Sequence, residues 1–571
     1  VSINKEIVEL GRDGKWKEIL NLYHERKEFF NPTNDSTLMS QLGRIRQVRN
    51  DDPLLELFLD HLNTKLQGRG ITWMGDTRHV ANIVHALGKM GMPKTLDSSA
   101  MKIMSLVGDC ETAEWMFEHG NPQEIVNCIW AHGTLEIESP YLFHLLDERA
   151  EWLIGNMTSQ GLANSIWACG RLGVVSPTLF NLLDQRAEWL FESGTRQQIV
   201  NCAWASGKLG IECPNLFRLL DENAERLVNS GNPQDLANSV WACAKIGFKS
   251  PNMLGLLDQR AEWLLDTGPP QNFVNCVWAC GTLGVESPAM FRLLDQRAER
   301  LVRHLTPQGL ANCLWSCGKL GIKAPNLLQV FNERAEWLVE NGTSQEIGIC
   351  AWALSMLGSP SPEFFVALDR NLKRFLDGAE SQNLCNVCYA FAILDINQSS
   401  LLAKVWQALV ERTIGNLPVE ELIQILYVEA CASVYGIELA SPLPDLRRQL
   451  DSVPFPNMSS DFEQEVSKAL FDIGFSHQQG FSPFQSTQGL LAIDMACPDR
   501  MIAIEYDGPR HYVSMPGDSE NLIESGPTKS KRRLLQQLGW MVINLNWAEA
   551  SQHQMSHEWV RTKLTEAGVD L

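Results

Sequence analysis

Apolar and polar positions follow a helical period over most of the chain, and from about residue 121 that pattern is itself repeated. Between Asn232 and Gly247, the residues Leu236, Ala237, Val240, Trp241 and Ala244 fall three or four apart and define one apolar stripe. Beside it run Asp235, Asn238, Ala242 and Lys245, at spacings of three, four and three. Tryptophan recurs every 37 residues as Trp130, Trp167, Trp204, Trp241, Trp278, Trp315 and Trp352, with Tyr389 at the next place. A closing glycine keeps the same step at Gly173, Gly210, Gly247, Gly284, Gly321 and Gly358. A fixed period of this length predicts stacked helical units, with the tryptophans in their core.

Each unit opens on a cap and a first-turn proline, as in Asn121-Pro122, Asn232-Pro233 and Thr306-Pro307. A second helix starts at Ser139-Pro140, Ser176-Pro177, Ser250-Pro251 or Ser287-Pro288 and continues through phrases such as 182–190 and 256–264. Gly120, Gly194, Gly231, Gly268 and Gly342 end it, where a left-handed residue is expected. The unit is thus a two-helix hairpin. Residues 1–75 read as a helical N-terminal extension or cap, with a turn over Asn31 to Ser36, and 76–120 as a divergent repeat. There His85 stands 45 residues before Trp130, eight more than the period. Eight repeats fill 121–416 and terminal helices 417–440; Pro442, Pro444, Pro454 and Pro456 punctuate a linker at 441–460.

Composition narrows the class. No apolar run approaches the roughly 18 residues that a bilayer span needs, so no membrane insertion is expected. The chain opens on Val1 rather than methionine, so its lack of a transit or signal peptide says nothing about destination. A formal net charge of -20 steers nucleic acid away, so any RNA-binding surface must be local. The 15 cysteines mostly repeat with the helices and read as free thiols in a reducing compartment; Cys385 and Cys388 form a lone C-x-x-C.

Three repeat positions are candidates for recognition. The first is Glu124, Gly161, Gln198, Asp235, Asn272, Gly309, Glu346 and Asn383, each three after the cap. Glu124, Gln198 and Glu346 suit a capping box, whereas polar variability at a fixed place also suits a reader of one base per repeat. The second is Asn127, Asn164, Asn201, Asn238, Asn275, Asn312 and Asn386, lost only at Ile349. Asparagine is a poor helix-interior residue, so its recurrence needs either a hydrogen-bonded ladder between repeats or a nucleic-acid contact. The third is Arg171, Lys208, Lys245 and Lys319, interrupted by Thr134, Thr282, Met356 and Ile393. These cations suit helix C-termini and could also follow a phosphate backbone.

After the linker the period changes. Ser460 to Leu470 reads as a capped helix; Leu490 to Ala496, Met501 to Asp507 and Met541 to Asn546 read as strands, and Lys529 to Leu538 as a helix. Alternation places Asp494 on one strand face and Glu505 with Asp507 on a face of the next, so neighbouring strands can gather three carboxylates.

Ile493-Asp-Met, Ile504 to His511, Lys531 to Leu535 and Gly539-Trp540 resemble the RAP domain over 461–560, followed by a tail at 561–571. The repeats are similar to octotricopeptide repeats, or to a heptatricopeptide-type class, through Pro-Gln-Asp-Leu-Ala-Asn-x-x-Trp-Ala. The fold expected is therefore mostly α: an α-solenoid of two-helix repeats followed by a small α/β domain that resembles restriction endonucleases. The resemblance implies a factor that binds single-stranded organelle RNA in chloroplast or mitochondrion and governs its processing, stability or translation, with possible protein partners in a ribonucleoprotein complex. RNA binding needs no cofactor. If the domain is catalytic, the resemblance implies Mg2+ or Mn2+ on Asp494 and Glu505, with Glu465 as an outer carboxylate and Asp507 and His511 nearby. The motif's lysine is replaced by Asp507, and Lys529 or Lys531 would have to substitute. A guided metal-dependent ribonuclease and an acidic protein-interaction scaffold are the competing functions.

Overall fold

The computed structural model describes residues 2–92, 95, 98–395, 399–412, 415–453, 461–483, 489–552 and 556–570, so Pro454, Pro456 and Ser460 lie outside the described residues. The chain divides into two compact units, Val1–Leu256 and Leu257–Leu571.

In the first unit the N-terminal helices Ile3–Arg12, Trp16–Arg26, Pro32–Leu42 and Pro53–Arg69 share one apolar core with the divergent repeat helix Thr77–Met90, through residues such as Ile7, Leu20, Phe58, Leu62 and Val84. The turn expected over 31–36 is instead the start of a helix. Asn31 and Asn34 exchange side-chain and backbone hydrogen bonds in a capping box, and Pro32 takes the first helical position.

Regular units follow, with first helices Pro122–Leu135, Ser159–Leu172, Arg196–Leu209 and Pro233–Lys245 in the first unit. The second unit continues them with Pro270–Leu283, Pro307–Leu320, Ser344–Leu357 and Ser381–Leu394. Most end on the closing glycine, as at Gly173 with φ 74°, and Glu136 and Asp395 take the same left-handed turn where glycine is missing. Neighbouring first helices approach closely because a glycine faces the next repeat: a Cβ at Gly207 would lie 2.8 Å from Ala242 Cα.

The second helix is divided. Pro177–Gln185 and Ala187–Ser193 are separated by Arg186, at φ -105° and ψ 20°, whose guanidinium donates to the Ile154 carbonyl of the preceding repeat at 3.2 Å. Arg334 donates likewise to the Val302 carbonyl. In most repeats an aspartate just before the break joins consecutive repeats; before Arg334 its place is taken by Asn332. Asp147 Oδ1 accepts from Ser176 Oγ at 2.6 Å and from Thr178 N at 2.8 Å, and thereby caps the next second helix. Asp184 holds Leu216 N, Asp258 holds Ala289 N and Asp295 holds Asn326 N in the same way.

The glycines that end these segments are not left-handed. Gly120, Gly194, Gly268 and Gly342 have extended backbone, with φ between -96° and -79°. Their smallness serves packing: a Cβ at Gly194 would stand 2.5 Å from the Leu190 carbonyl oxygen.

The second unit ends its array with the helices Ser399–Arg412, Val419–Tyr435 and Pro444–Asp451. The last of these falls inside the expected linker, with Leu446 and Leu450 buried. The C-terminal domain is a mixed sheet of β1 (Gln478–Phe481), β2 (Ile493–Cys497), β3 (Ile502–Asp507) and β6 (Met541–Asn546), in that order. Only the β3–β6 pair is parallel. One face packs Ile502, Ile504 and Tyr506 on Val466 and Leu470 of the helix Asp461–Asp472 and on Val560 and Leu564 of His557–Glu566. The other packs Ala496 and Ala503 on Leu535 of the helix Gly526–Gln537.

Two contacts seat this domain on the repeats of its own unit. The hairpin β4 (Tyr512–Met515) and β5 (Asp518–Glu524) bonds through Ser514 to the Gly321 carbonyl and the Lys323 amide, each at 2.8 Å. From the helix Gly526–Gln537, Arg533 reaches Tyr435 Oη at 3.0 Å and the Ile393 carbonyl at 3.2 Å.

Candidate nucleic-acid interface and carboxylate pocket

The first candidate position belongs to helix capping. Glu124, Gln198, Asp235, Glu346 and Asn383 each complete a capping box, and Gly161 and Gly309 give their amides to Thr158 and Thr306. Asn272 follows Pro269, which cannot form a side-chain box, and is itself buried. The five capping-box side chains are turned to backbone and mostly withdrawn from the surface.

The asparagines stand differently. Asn127, Asn164, Asn201, Asn238, Asn275 and Asn312 are half-buried, and Asn386 is buried. Asn127 and Asn275 accept from the glutamine one turn earlier, Gln123 and Gln271, at 2.9 and 2.8 Å. Asn386 accepts from Gln424 Nε2 at 3.1 Å.

The tryptophans correct the sequence reading. All seven, with Tyr389, are half-buried rather than core. One ring edge covers the glycine of the preceding repeat, so that Trp204 Cζ3 would lie 3.1 Å from a Cβ at Gly170, and the rest of the ring stays at the surface. The buried face needs only the small and aliphatic residues Leu236, Ala237, Val240 and Ala244. Three residues before every tryptophan but Trp352, where Ile349 stands, is the asparagine, and four after it lies the variable position, which is Arg171, Lys208, Lys245 or Lys319 in four repeats, all exposed. Lys208 and Lys245 place their ammonium groups 5.3 and 5.5 Å from the ring centroids of Trp204 and Trp241. Arg171 pairs with Glu136, and Lys208 also donates to the Arg171 carbonyl.

A further signal on this face lies outside the three candidate positions. The residue four before the asparagine is glutamine in every repeat: Gln123, Gln160, Gln197, Gln234, Gln271, Gln308, Gln345 and Gln382, and all eight are exposed. An exposed side chain has no packing reason to recur. Gln234, Asn238, Trp241 and Lys245, at steps of four, three and four, form a single helix face of amide, amide, indole and cation.

The carboxylates gather at the other candidate site. The register that pairs Met495 with Ile504 sets Asp494 opposite Glu505, and β6 places Asn544 beside Glu505. Lys531, from the helix Gly526–Gln537, donates from Nζ to Glu505 Oε2 at 2.6 Å and to the Ala492 carbonyl at 2.7 Å. Asp494 accepts from Tyr506 N at 2.8 Å, and Asp507 accepts from Asn544 and lies 3.0 Å from His511 Nδ1. Thr528 Oγ1 in turn donates to the His511 carbonyl at 3.1 Å. Burial pushes Glu505 up to about 8 against the pull of Lys531. Lys531 itself is raised: burial lowers it, but Glu505, Asp494 and Asp507 outweigh that.

Glu465 is not brought to this group. Its helix covers the opposite face of the sheet, where Phe462 stacks on Tyr506 at 6.0 Å. Nor do the residues fit a divalent metal. The Lys531 ammonium already bridges Glu505 and Ala492, both Asp507 oxygens are engaged, and among the described residues no three His, Cys, Asp or Glu converge at ligand spacing. The ammonium holds Glu505 Oε2, one oxygen of the carboxylate that Mg2+ or Mn2+ would need, and with no third ligand beside it among the described residues the group is a salt-bridged pocket.

The cysteines lie mainly inside the helix packing, where burial raises their thiols; Cys110 is exposed and Cys497 half-buried. Among the described residues no helix is long and apolar enough to cross a membrane.

Fold and sites together define a helical-repeat protein closed by a small mixed-sheet domain. Residues 102–270 and 264–434 match the family described as RNA-editing substrate-binding complex 6 protein, and residues 504–562 match the RAP domain. The first two matches together span more than half of the chain, which belongs to that family and carries a RAP domain at its C-terminal end. These matches support an RNA-associated role.

Proposed function

We propose that the protein binds single-stranded RNA along the first-helix face and governs the processing, stability or translation of an organelle transcript, in mitochondrion or chloroplast and together with protein partners. The observation that carries this reading is the half-buried tryptophan that recurs with an asparagine three before it and, in four repeats, a cation four after it. An indole offers a base a stacking surface, amides reach base edges and sugar, and cations follow phosphate. Glutamine, asparagine and tryptophan are nearly uniform, so they hold the strand. Selectivity falls to the position that varies among Thr134, Arg171, Lys208, Lys245, Thr282 and Lys319. At one base per repeat the footprint is about 8 nucleotides.

Selection of the full chain against random RNA tests this. An enriched short sequence whose affinity falls steeply with salt supports it. No enrichment and no salt dependence would overturn it and leave the acidic repeats as a protein scaffold.

A further inference from the structure

Within the second unit, the carboxylate group opens into a cavity of about 290 Å³ against the last repeats. Its repeat-side wall is Met356, Tyr389 and Tyr427; its other side includes Glu505, Lys531 and Arg510. Tyr389 is the eighth rung of the tryptophan series, and its ring meets Tyr427 edge-on at 5.5 Å. Met356 stands where earlier repeats carry Lys245 and Lys319. The aromatic series therefore ends in this cavity. There the uniform face loses its cation and gains an apolar wall.

The floor has an unmet need. Glu505 is 4% exposed, and while Lys531 holds Oε2, Oε1 is buried without any hydrogen-bond partner. A buried carboxyl oxygen without a partner is costly, and a ligand N–H donated to it removes the cost by favouring the ionised form. Arg510 at the mouth is exposed, so an anionic group can approach it from solvent. A flat ring with an N–H edge and a phosphate tail meets all three surfaces at once.

We infer that this cavity receives one unpaired nucleotide, its base against Tyr389 and Tyr427, a base N–H donated to Glu505 Oε1 and its phosphate facing Arg510. This rests on the RNA-binding reading, because the nucleotide is the one that follows the strand past the seventh rung. The cavity anchors the end of the track, and the tryptophan rungs hold the rest.

The test is titration of the full chain with each of the four nucleoside 5′-monophosphates by calorimetry, beside a single-stranded RNA from the selection. The expected result is saturable binding of at least one monophosphate at a single site. Tyr389→Ala should weaken it about 5- to 100-fold, as loss of one stacking surface does. Glu505→Gln and the surface change Arg510→Ala should each weaken it severalfold, the latter with the fold unperturbed. Trp204→Ala should weaken RNA and leave the monophosphate unchanged. If no monophosphate binds, or if it binds equally to Tyr389→Ala and Arg510→Ala, the inference fails even where RNA binding persists. If a monophosphate binds through these residues but no RNA does, the RNA reading fails and the nucleotide site stands.

Discussion

Lys531 Nζ stands 2.6 Å from Glu505 Oε2, and this one ion pair joins the helix Gly526–Gln537 to the middle of the sheet. Replacing the lysine by methionine leaves a buried carboxyl without its counter-charge, a change that costs about 3–5 kcal/mol when the charge must persist. Glu505 titrates at about 8 when folded, above its ordinary 4.5, so the stability it contributes is full below pH 4.5 and declines as pH rises to 8. Without Lys531 the folded value climbs further. The gap between Lys531→Met and the parent should therefore stay nearly constant from about pH 5 to about pH 7 and widen only above about pH 8, as read from urea melts across that range.

The aspartate that joins consecutive repeats is open to a direct test. Asp184 accepts from Leu216 N at 3.0 Å and from Asn215 Nδ2 at 3.1 Å. Asp184→Ala should cost about 1 kcal/mol, as loss of a helix cap does. In a double-mutant cycle with Asn215→Ala the two changes should prove non-additive, since they share one contact.

Two glycines separate close helix approach from helix propensity. At Gly255 an added Cβ meets nothing within 4 Å, so Gly255→Ala should stabilise by up to about 1 kcal/mol. At Gly207 it would meet the Ala242 Cα at 2.8 Å and the Ala242 carbonyl oxygen at 3.1 Å. There overpacking outweighs the gain, and Gly207→Ala should lose about 1–2 kcal/mol in denaturant melts.

Burial holds the thiols of Cys169, Cys243 and Cys280 up at about 12. Iodoacetamide at pH 8 should therefore label Cys110 first in the native chain, with Cys497 slower, and reach the repeat cysteines only on unfolding. Peptide mass mapping over a time course reads the order.

Phosphate contact by the exposed cations predicts a salt signature. Lys208→Ala or Lys319→Ala should weaken single-stranded RNA about uniformly across sequences and lower the slope of log affinity against log salt by about 0.7 each. Trp241→Ala should lower affinity by about 1–3 kcal/mol with little change in that slope, which separates stacking from charge.

By itself the sequence determined the repeat. Period, caps and closing glycines are local properties, written in the residues that execute them, which is why the first helices begin and end where Asn232 and Gly173 indicate. The strands that carry Asp494 and Glu505 were legible for the same reason, since alternation is also local. The tertiary structure decided what each face meets. Whether Trp241 is covered depends on how closely the first helix of the preceding repeat approaches, and Gly207 and Ala242 set that distance. Asp235 was fully legible as polar, yet only the backbone around it shows that its carboxylate turns back to Asn232. Lys531 lies 26 residues from Glu505, and Tyr427 lies 78 from it in the chain, so their meeting rests on long-range packing that no local pattern records.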